Sequence, residues 1–252
     1  MEVRGTGALQ TWARTALRRQ LRNSAPGRRL RLELGLEAIE RYAGGRAGYR
    51  LLDAGSEEGL LCLELARRHP DWSLVAADIA DGPLRRGREW SRAEGLAVHY
   101  VRCDLQEPLG TEVYDAVVAL ESLVEVPDDQ AALRSMTTAL RRGGLFVAQV
   151  PTSDWTPVLS RAERTWRREA RHGYDPEELT RVLTELGLEV EALQPTFRRT
   201  AALAQDVRDL LKRRSRRTQL MMLPFLVAAV RLERAGLTWG APRGLFVVAV
   251  KR

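Results

Sequence analysis

Three acidic residues stand at or just after the ends of three successive apolar runs, and together they could hold a small ligand. Asp53 lies in the first run (49–54), Asp78 ends the second (73–78), and Asp104 follows the third. If the runs are parallel strands, their carboxyl ends meet at one edge of a sheet, where doubly wound sheets bind ligands. A carboxylate at the position of Asp78 can accept hydrogen bonds from both hydroxyls of a ribose. The acids therefore predict a nucleoside-type site at this edge.

A turn with glycine at both ends, Gly55 and Gly59, joins the first apolar run to a helical stretch. Such a turn lets the backbone approach a ligand closely, while free N–H groups at the start of the helix point outward. A dinucleotide site would have the pattern G-x-G-x-x-G, which this turn lacks. The turn therefore suits a ligand without a pyrophosphate. Taken alone, it is equally typical of an ordinary strand–turn–helix connection.

Short apolar runs that alternate with helical patterns must position these residues. The series of predicted strands covers 49–54, 73–78, 98–103, 114–120, 145–150, 188–193 and 245–250. The predicted helices between them cover 60–69, 84–95 and 129–141, and a further helix begins after a capping Asp175. Largely apolar strands separated by helices are typical of parallel pairing with both faces covered. The prediction is an α/β fold with a doubly wound, Rossmann-like, seven-stranded, mostly parallel sheet and helices on both faces.

Two helical additions accompany this predicted sheet. Residues 1–24 carry apolar side chains at helical spacing with arginines between them, and a second helical stretch follows over 28–43. We predict an N-terminal helical cap or lid over 1–47. The main domain is predicted over 48–252, with a helical insertion at about 199–240.

Composition excludes several classes of protein. The chain has 252 residues and a net charge of +7, and every basic residue except Lys212 and Lys251 is arginine. We attribute this bias to the composition of a GC-rich bacterial genome rather than to a polyanionic partner. Cys62 and Cys103 are too few for a disulfide framework or an all-cysteine zinc site, and no metal-ligand spacing is present. Without a run of 18 apolar residues or an apolar leader, the sequence predicts a cytoplasmic protein.

Six short motifs, in this order and spacing, resemble those of class I S-adenosylmethionine-dependent methyltransferases, specifically the small-molecule group called type 11. They lie at 51–59, 77–79, 103–105, 114–118, 126–128 and 140–144. Together they span about 48–151. The resemblance implies S-adenosyl-L-methionine as the cofactor and an antiparallel seventh strand at 245–250.

The resemblance also implies a role for seven cofactor-binding residues: Asp53, Gly55, Gly59, Asp78, Ile79, Asp104 and Leu105. The two glycines would face the methionine part of the cofactor, and Asp53 would act near its amino group. Asp78 would hold the ribose and Ile79 would pack on the adenine. Asp104 would lie near the adenine amino group.

Glu57 departs from the family pattern, which has glycine or another small residue at this position. Two like charges 4 Å apart repel by about 4 kcal/mol at an effective dielectric near 20, and by far less when solvated. Glu57 facing the cofactor carboxylate would therefore abolish binding, whereas Glu57 facing solvent would matter little. We expect weakened rather than lost cofactor binding.

Three residues are candidates for catalysis. Methyl transfer needs a nucleophile held about 3 Å from the methyl group and sometimes a base. The end of the fourth predicted strand supplies Glu121 and Glu125, and a loop before the capped helix supplies His172. Each has an ordinary alternative: a capping or solvated acid for the two glutamates, and a surface imidazole for His172.

Aromatic and flexible side chains could line an acceptor pocket. The candidates are Trp155, Trp166, Tyr174, Met221 and Met222. The two methionines belong to an apolar run at 220–230 that follows a basic cluster at 212–217. This segment roofs the acceptor pocket, together with Trp12 and Leu17 of the N-terminal stretch, or contacts an anionic membrane surface. Both roles are compatible if the acceptor is a lipid. Ordinary loop packing is the alternative for the tryptophans.

These patterns predict an S-adenosylmethionine-dependent methyltransferase acting on a small or lipophilic acceptor, with peripheral contact to an anionic membrane as a further expectation. Two other functions stay open. One is a catalytically degenerate cofactor-binding or scaffold protein on the same fold. The other is an RNA methyltransferase, which the charge alone supports and which we favour least.

Overall fold

A computed structural model describes residues 25–155, 170–211 and 216–252 of the chain. The chain divides into two compact units. Of the described residues, the helical unit contains 25–30 and Phe197–Gly240, and the remainder forms the sheet unit. The predicted N-terminal helix with Trp12 and Leu17, the candidate Trp166, and residues 212–215 lie outside the described residues.

Seven strands form one sheet in the sheet unit. They are β1 (Arg50–Ala54), β2 (Ser73–Asp78), β3 (His99–Arg102), β4 (Tyr114–Leu120), β5 (Leu140–Pro151), β6 (Leu188–Thr196) and β7 (Gly244–Lys251). Their spatial order is β3-β2-β1-β4-β5-β7-β6. The first five strands pair in parallel, and β7 is antiparallel to both β5 and β6. The predicted mostly parallel sheet with an antiparallel last strand is confirmed.

Helices cover both faces of this sheet. They are α1 (Pro26–Ala43), α2 (Leu60–Arg68), α3 (Asp81–Glu94), α4 (Asp129–Ala139) and α5 (Pro176–Glu185), with a 3-10 turn at Leu123–Glu125. Successive residues of β1 lie on opposite faces of the sheet. Leu51 packs with Ile39 of α1 on one face, and Leu52 packs with Leu133 of α4 on the other. Because both faces are buried, the central strands are largely apolar.

The second half of α1 is part of the core. Leu32, Leu36 and Ile39 lie within the buried cluster on one face of the sheet. Residues 31–43 are therefore an integral layer of the sheet unit, which differs from the prediction of a separate cap over 1–47.

The largest difference from the predicted strand and helix bounds lies at the start of β5, whereas the other bounds differ by three residues or fewer. β5 begins at Leu140, five residues before the predicted start, and α4 ends at Ala139. The pairing of β4 with β5 shifts between Tyr114 and Ala116, so the first residues of β5 form a bulge. Gly143 adopts φ +69° within this bulge. A Gly-Gly pair is as typical of a bulge as of the turn that we predicted.

The helical unit contains α6 (Arg199–Leu211) and α7 (Arg216–Arg234). Ala204 of α6 packs with Leu226 and Ala229 of α7. The carboxylate of Glu233 joins the two ends of the unit, because it accepts hydrogen bonds from the backbone N–H of Arg198 (2.7 Å) and from the hydroxyl of Thr238 (3.0 Å). Among the described residues, no helix combines the length and apolarity that a membrane span requires.

Candidate active site

The loop between β1 and α2 needs glycine at two positions. Gly55 has φ +79°, and a Cβ on it would lie 2.1 Å from Cβ of Ser122. The Ser122 hydroxyl in turn donates a 2.7 Å hydrogen bond to the carbonyl of Ala54, so the loop and the segment after β4 are in direct contact. Gly59, at φ +68°, begins α2 without a side-chain cap among the described residues. The first N–H groups of α2 therefore have no side-chain cap competing for a ligand.

Asp78, at the end of β2, is held by two backbone groups. Its Oδ2 accepts a hydrogen bond from the N–H of Glu57, and its Oδ1 accepts one from the N–H of Ala80, both at 2.8 Å. A carboxylate has about four lone-pair sites, so each oxygen can still accept a further bond. The next residue, Ile79, is 60% exposed. Together they offer paired acceptors beside an apolar surface, which fits a ribose and its attached base.

Asp53 is buried in β1 near two other acids. Burial raises the pKa of Asp53 to about 7, and the charges of Asp78 and Glu57 act in the same direction. The Sγ of Cys62 lies 4.0 Å from Oδ2 of Asp53. Burial and the charge of Asp53 raise the pKa of the Cys62 thiol as well. The crevice is thus electronegative and suits a ligand with positive groups, such as a sulfonium and an ammonium.

Asp104 follows β3 and is anchored by Gln106. Both carboxylate oxygens accept from Nε2 of Gln106 at 3.0 Å, and Oδ1 also accepts from its backbone N–H. These bonds lower the pKa of Asp104. Leu105, the neighbouring candidate, is 6% exposed and belongs to the core of the sheet unit. Asp104 therefore presents a fixed, ionised carboxylate, whereas Leu105 packs beneath it.

Glu57 contributes its backbone to the site and its side chain to solvent. It adopts φ +48°, a left-handed conformation that favours glycine, and its side chain is exposed. Its N–H points to Asp78, as described above. This is the solvent-facing arrangement in which we expect the substitution to matter least.

The residues present fit S-adenosylmethionine. One further polar atom supports this fit: the hydroxyl of Ser56 is buried in the glycine turn and has no hydrogen-bond partner in the described part of the chain. A buried hydroxyl without a partner costs free energy unless a ligand or water satisfies it. Ser56, the α2 N-terminus and Asp78 are thus available to a ligand with both polar and charged groups.

Glu121 lies at the carboxyl end of β4 in a strained conformation, with φ +64°. Its Oε2 forms a 2.5 Å ion pair with Nη1 of Arg31 in α1, and its Oε1 accepts a 3.3 Å hydrogen bond from Nε2 of Gln149 in β5. Neither Arg31 nor Gln149 was among the site residues predicted from the sequence. Gln149 could have been found, because it is the one polar residue in the run 145–150.

The other two catalytic candidates are exposed. Glu125 lies in the 3-10 turn after β4. His172 stacks on Trp155 with ring centroids 5.5 Å apart, and its Nε2 lies 3.4 Å from the Trp155 carbonyl oxygen. The guanidinium of Arg243 lies 5.6 Å from the centroid of the Trp155 ring. His172 and Trp155 are therefore brought together.

Tyr174 belongs to the core and not, as predicted, to a pocket wall. It is 1% exposed, and its hydroxyl donates to Oδ2 of Asp129 at 2.5 Å. Arg171 stacks over its ring at 3.9 Å and forms ion pairs with Asp129 and Glu178. The tyrosine thus fastens the 171–175 loop to α4.

The two methionines of the predicted pocket lie in the helical unit. Met221 is 80% exposed, so it is not enclosed as a pocket wall would be, whereas Met222 is half-buried. No group of three or more metal-ligating side chains occurs among the described residues.

Comparisons with known proteins agree with this fold and identify its family. The chain is 31% identical over 114 residues to a ubiquinone biosynthesis O-methyltransferase of Acinetobacter baylyi, a match that covers 44% of this chain and 47% of the relative. The chain therefore spans about half the length of the curated relatives that it matches. Two solved structures share the fold at low identity. The [4+2]-cyclase SpnF has a TM-score of 0.64 at 19% identity, with 86% of this chain and 80% of that one covered.

The second is phosphoethanolamine N-methyltransferase 2 of Haemonchus contortus in complex with S-adenosyl-L-methionine, with a TM-score of 0.64 at 16% identity. The superposition covers 87% of this chain and 52% of the Haemonchus contortus chain. A family model described as a methyltransferase domain matches residues 14–193, which is more than half of the chain. The chain belongs to the methyltransferase-domain family of class I S-adenosylmethionine-dependent methyltransferases.

Proposed function

We propose that the protein transfers a methyl group from S-adenosylmethionine to a small, lipophilic acceptor. The observation that carries the proposal is the carboxylate of Asp78, fixed by the N–H groups of Glu57 and Ala80 beside the exposed Ile79. This pair lies at the carboxyl edge of the sheet, next to the glycine turn that Ser122 contacts. Such an edge is where doubly wound sheets bind nucleoside ligands.

The donor supplies a methyl group activated by a positively charged sulfur. The chain's residues would bind and orient it: Asp78 the ribose hydroxyls, the N-terminus of α2 the carboxylate, and Asp53 the ammonium group. Because Asp53 has a pKa of about 7, the arrival of a cation would lower that pKa and favour release of its proton, which leaves an ionised carboxylate beside the ammonium group. Asp104 would contact the amino group of the base.

Glu121 is the residue that we assign to the acceptor. It lies at the carboxyl end of β4, and its carboxylate is held by Arg31 and Gln149 in one orientation. A fixed carboxylate can accept a hydrogen bond from a hydroxyl or amine and so orient the attacking atom. Its left-handed backbone fits a functional position, because strained residues concentrate at such sites. Glu125 and His172 are the second choices.

Two features support a lipophilic acceptor. The exposed ring of His172 stacks on Trp155, which is itself 7% exposed, and the guanidinium of Arg243 lies beside this aromatic pair. The likeness to a ubiquinone biosynthesis O-methyltransferase points to the same class of acceptor.

The proposal is tested in two steps with the full chain. Calorimetric titration with S-adenosylmethionine should show one site, and incubation with methyl-labelled donor and bacterial extract should place label in the organic-solvent fraction. Mass spectrometry of that fraction then identifies the acceptor. If the chain binds the donor but transfers no labelled methyl group to any fraction of the extract, the proposed methyltransferase activity is excluded.

That outcome would favour a second candidate, a cofactor-binding scaffold on the same fold. The feature behind this alternative is Glu57, which stands where the family has a small residue and adopts a strained conformation, although its side chain is exposed to solvent. The shared fold of a [4+2]-cyclase shows that this architecture also occurs in proteins named for other reactions.

A further inference from the structure

One face of α7 is apolar and exposed. The opposite face packs within the helical unit, where Leu226, Ala229 and Val230 are each at most 4% exposed. The outward residues follow helical spacing and form what we term the outer stripe: Met221, Phe225, Ala228 and Leu232. Met221 is 80% exposed, Phe225 49% and Leu232 43%. A helix that faces water usually carries polar residues on this side, so the stripe needs an explanation.

The stretch of sequence that contains the outer stripe carries almost only positive charges. Residues 212–234 contain seven basic side chains and one acid, Glu233. That acid is engaged within the helical unit, where it accepts from the Arg198 N–H and the Thr238 hydroxyl. Arg231 lies on the outward side of α7, one residue before Leu232, and is exposed. The apolar outer stripe thus belongs to a segment with a strong excess of positive charge.

A groove runs beside the stripe within the helical unit. Its volume is about 660 Å³, and it is lined by Arg29, Leu223, Pro224, Val227, Ala228, Arg231, Leu232 and Ala235. The lining is apolar except for the two arginines. An acyl chain could lie along such a groove with an anionic headgroup at the arginines.

We propose that the outer stripe docks the protein on the surface of an anionic lipid bilayer, with α7 lying in the plane of the interface. Apolar side chains accompanied by arginines match the two layers of such an interface, the upper acyl region and the negatively charged headgroups. The groove adds a second contact of the same chemistry, because its walls are apolar and its two polar residues are cations.

Charge complementarity favours an anionic bilayer, rather than a second copy of the chain, as the partner of the outer stripe. Two copies that met through their outer stripes would bring together two segments that each carry an excess of positive charge, Arg231 included. Like charges at an interface oppose association, whereas anionic headgroups neutralise them. The proposal does not depend on methyl transfer.

The test is flotation of the full chain with two kinds of vesicle, one of phosphatidylcholine alone and one with about a third of phosphatidylglycerol. We expect binding to the anionic vesicles at low salt and at least a fivefold smaller bound fraction on the neutral ones. The double variant Phe225→Gln/Leu232→Gln should lower binding to anionic vesicles at least fivefold. Arg231→Gln should lower it less and reduce its dependence on salt.

Val101→Gln is the matched control, because Val101 is 44% exposed and precedes Arg102 but lies on β3 of the sheet unit. It should bind vesicles as the unaltered chain does. Circular dichroism and calorimetric donor binding should be unchanged in every variant, which separates this test from that of the proposed function. No binding of the unaltered chain, or equal binding of the double variant, would overturn the proposal. Loss of a dimer, rather than of vesicle binding, in the double variant would also overturn it.

Discussion

The backbone N–H of Glu57 donates a 2.8 Å hydrogen bond to Oδ2 of Asp78. Glu57 adopts φ +48° to do so, although the left-handed conformation costs a non-glycine residue roughly 1–2 kcal/mol. The bond to a carboxylate offsets a cost of this size, since hydrogen bonds to charged groups contribute about 1.5–3 kcal/mol. The glutamate therefore preserves the path of the glycine turn, and its consequence for a ligand lies in its charge.

We predict that Asp78→Ala weakens the binding of S-adenosylmethionine roughly 10- to 150-fold, the range that corresponds to losing hydrogen bonds to a charged group. The variant removes the proposed ribose acceptors and also frees the N–H groups of Glu57 and Ala80. Calorimetric titration measures the affinity. Asp71→Ala is a matched control, because the Asp71 carboxylate also accepts a backbone N–H, that of Gly48. If Asp78→Ala and Asp71→Ala bind S-adenosylmethionine with equal affinity, Asp78 is not part of the donor site.

Glu57→Gly should tighten donor binding about two- to tenfold, since it removes a negative charge near the proposed position of the donor carboxylate. Glu57→Gln separates charge from backbone strain, because it keeps the side chain and loses the charge. We expect the two variants to bind the donor equally well, and thermal unfolding to show which of them is more stable. A large loss of affinity in either would mean that the Glu57 carboxylate itself contacts the ligand.

Because Gly55 lies so close to Ser122, we predict that a side chain at position 55 destabilises the fold by more than backbone strain alone would. Gly55→Ala would place a Cβ 2.1 Å from that of Ser122 and should lower the free energy of unfolding by roughly 2–5 kcal/mol. Gly143→Ala is the control, because Gly143 has φ +69° but a Cβ on it would meet no atom within 4 Å. It should cost about 1–2 kcal/mol, the strain alone.

A double-mutant cycle identifies the clash. Gly55→Ala combined with Ser122→Gly should be less destabilised than the sum of the two single variants, because the second change removes the atom that the new methyl group meets. Urea unfolding gives the free energies. Additive effects would show that the two residues are not in contact.

The sequence predicted those features that depend on local pattern. The strand bounds of β2 and β4 match the structure because their residues are largely apolar and buried on both faces, which leaves little ambiguity in the run. Asp175 was recognised as a cap because its partners, the N–H groups of Glu177 and Glu178, lie two and three residues away. Both signals are contained in a few consecutive residues.

Features that depend on long-range pairing were not predictable. Arg31 contacts Glu121 only because α1 packs on one face of the sheet, over β4. Nothing in the sequence near Arg31 or Glu121 indicates that the two form an ion pair. Tyr174 was predicted to line a pocket because it is aromatic, whereas its environment is set by Asp129, 45 residues away. The order of parallel strands, which brings such residues together, is not encoded in any short segment.

Asp53 provides a prediction about pH. Burial and the charges of Asp78 and Glu57 raise its pKa in the folded chain to about 7, compared with about 3.9 in an unfolded chain. Between these values the folded chain binds more protons than the unfolded chain at this residue. The contribution of Asp53 to the free energy of unfolding is therefore fully present below about pH 4. It decreases as the pH rises and is lost once the pH has passed the folded pKa of about 7.

Asp53→Asn cannot ionise and should escape this loss. We expect the free energy of unfolding of the variant, relative to that of the unaltered chain, to increase by roughly 2.5–3 kcal/mol between pH 5 and pH 8, because the loss occurs over about two pH units below pH 7 and each unit corresponds to about 1.4 kcal/mol. Urea unfolding without donor, followed by circular dichroism at both pH values, measures the difference. Asp71→Asn, in an exposed loop, controls for the loss of one negative charge from the chain. A difference between Asp53→Asn and the unaltered chain that is the same at both pH values would show that Asp53 is ionised throughout, and the electronegative crevice would then hold a permanent charge.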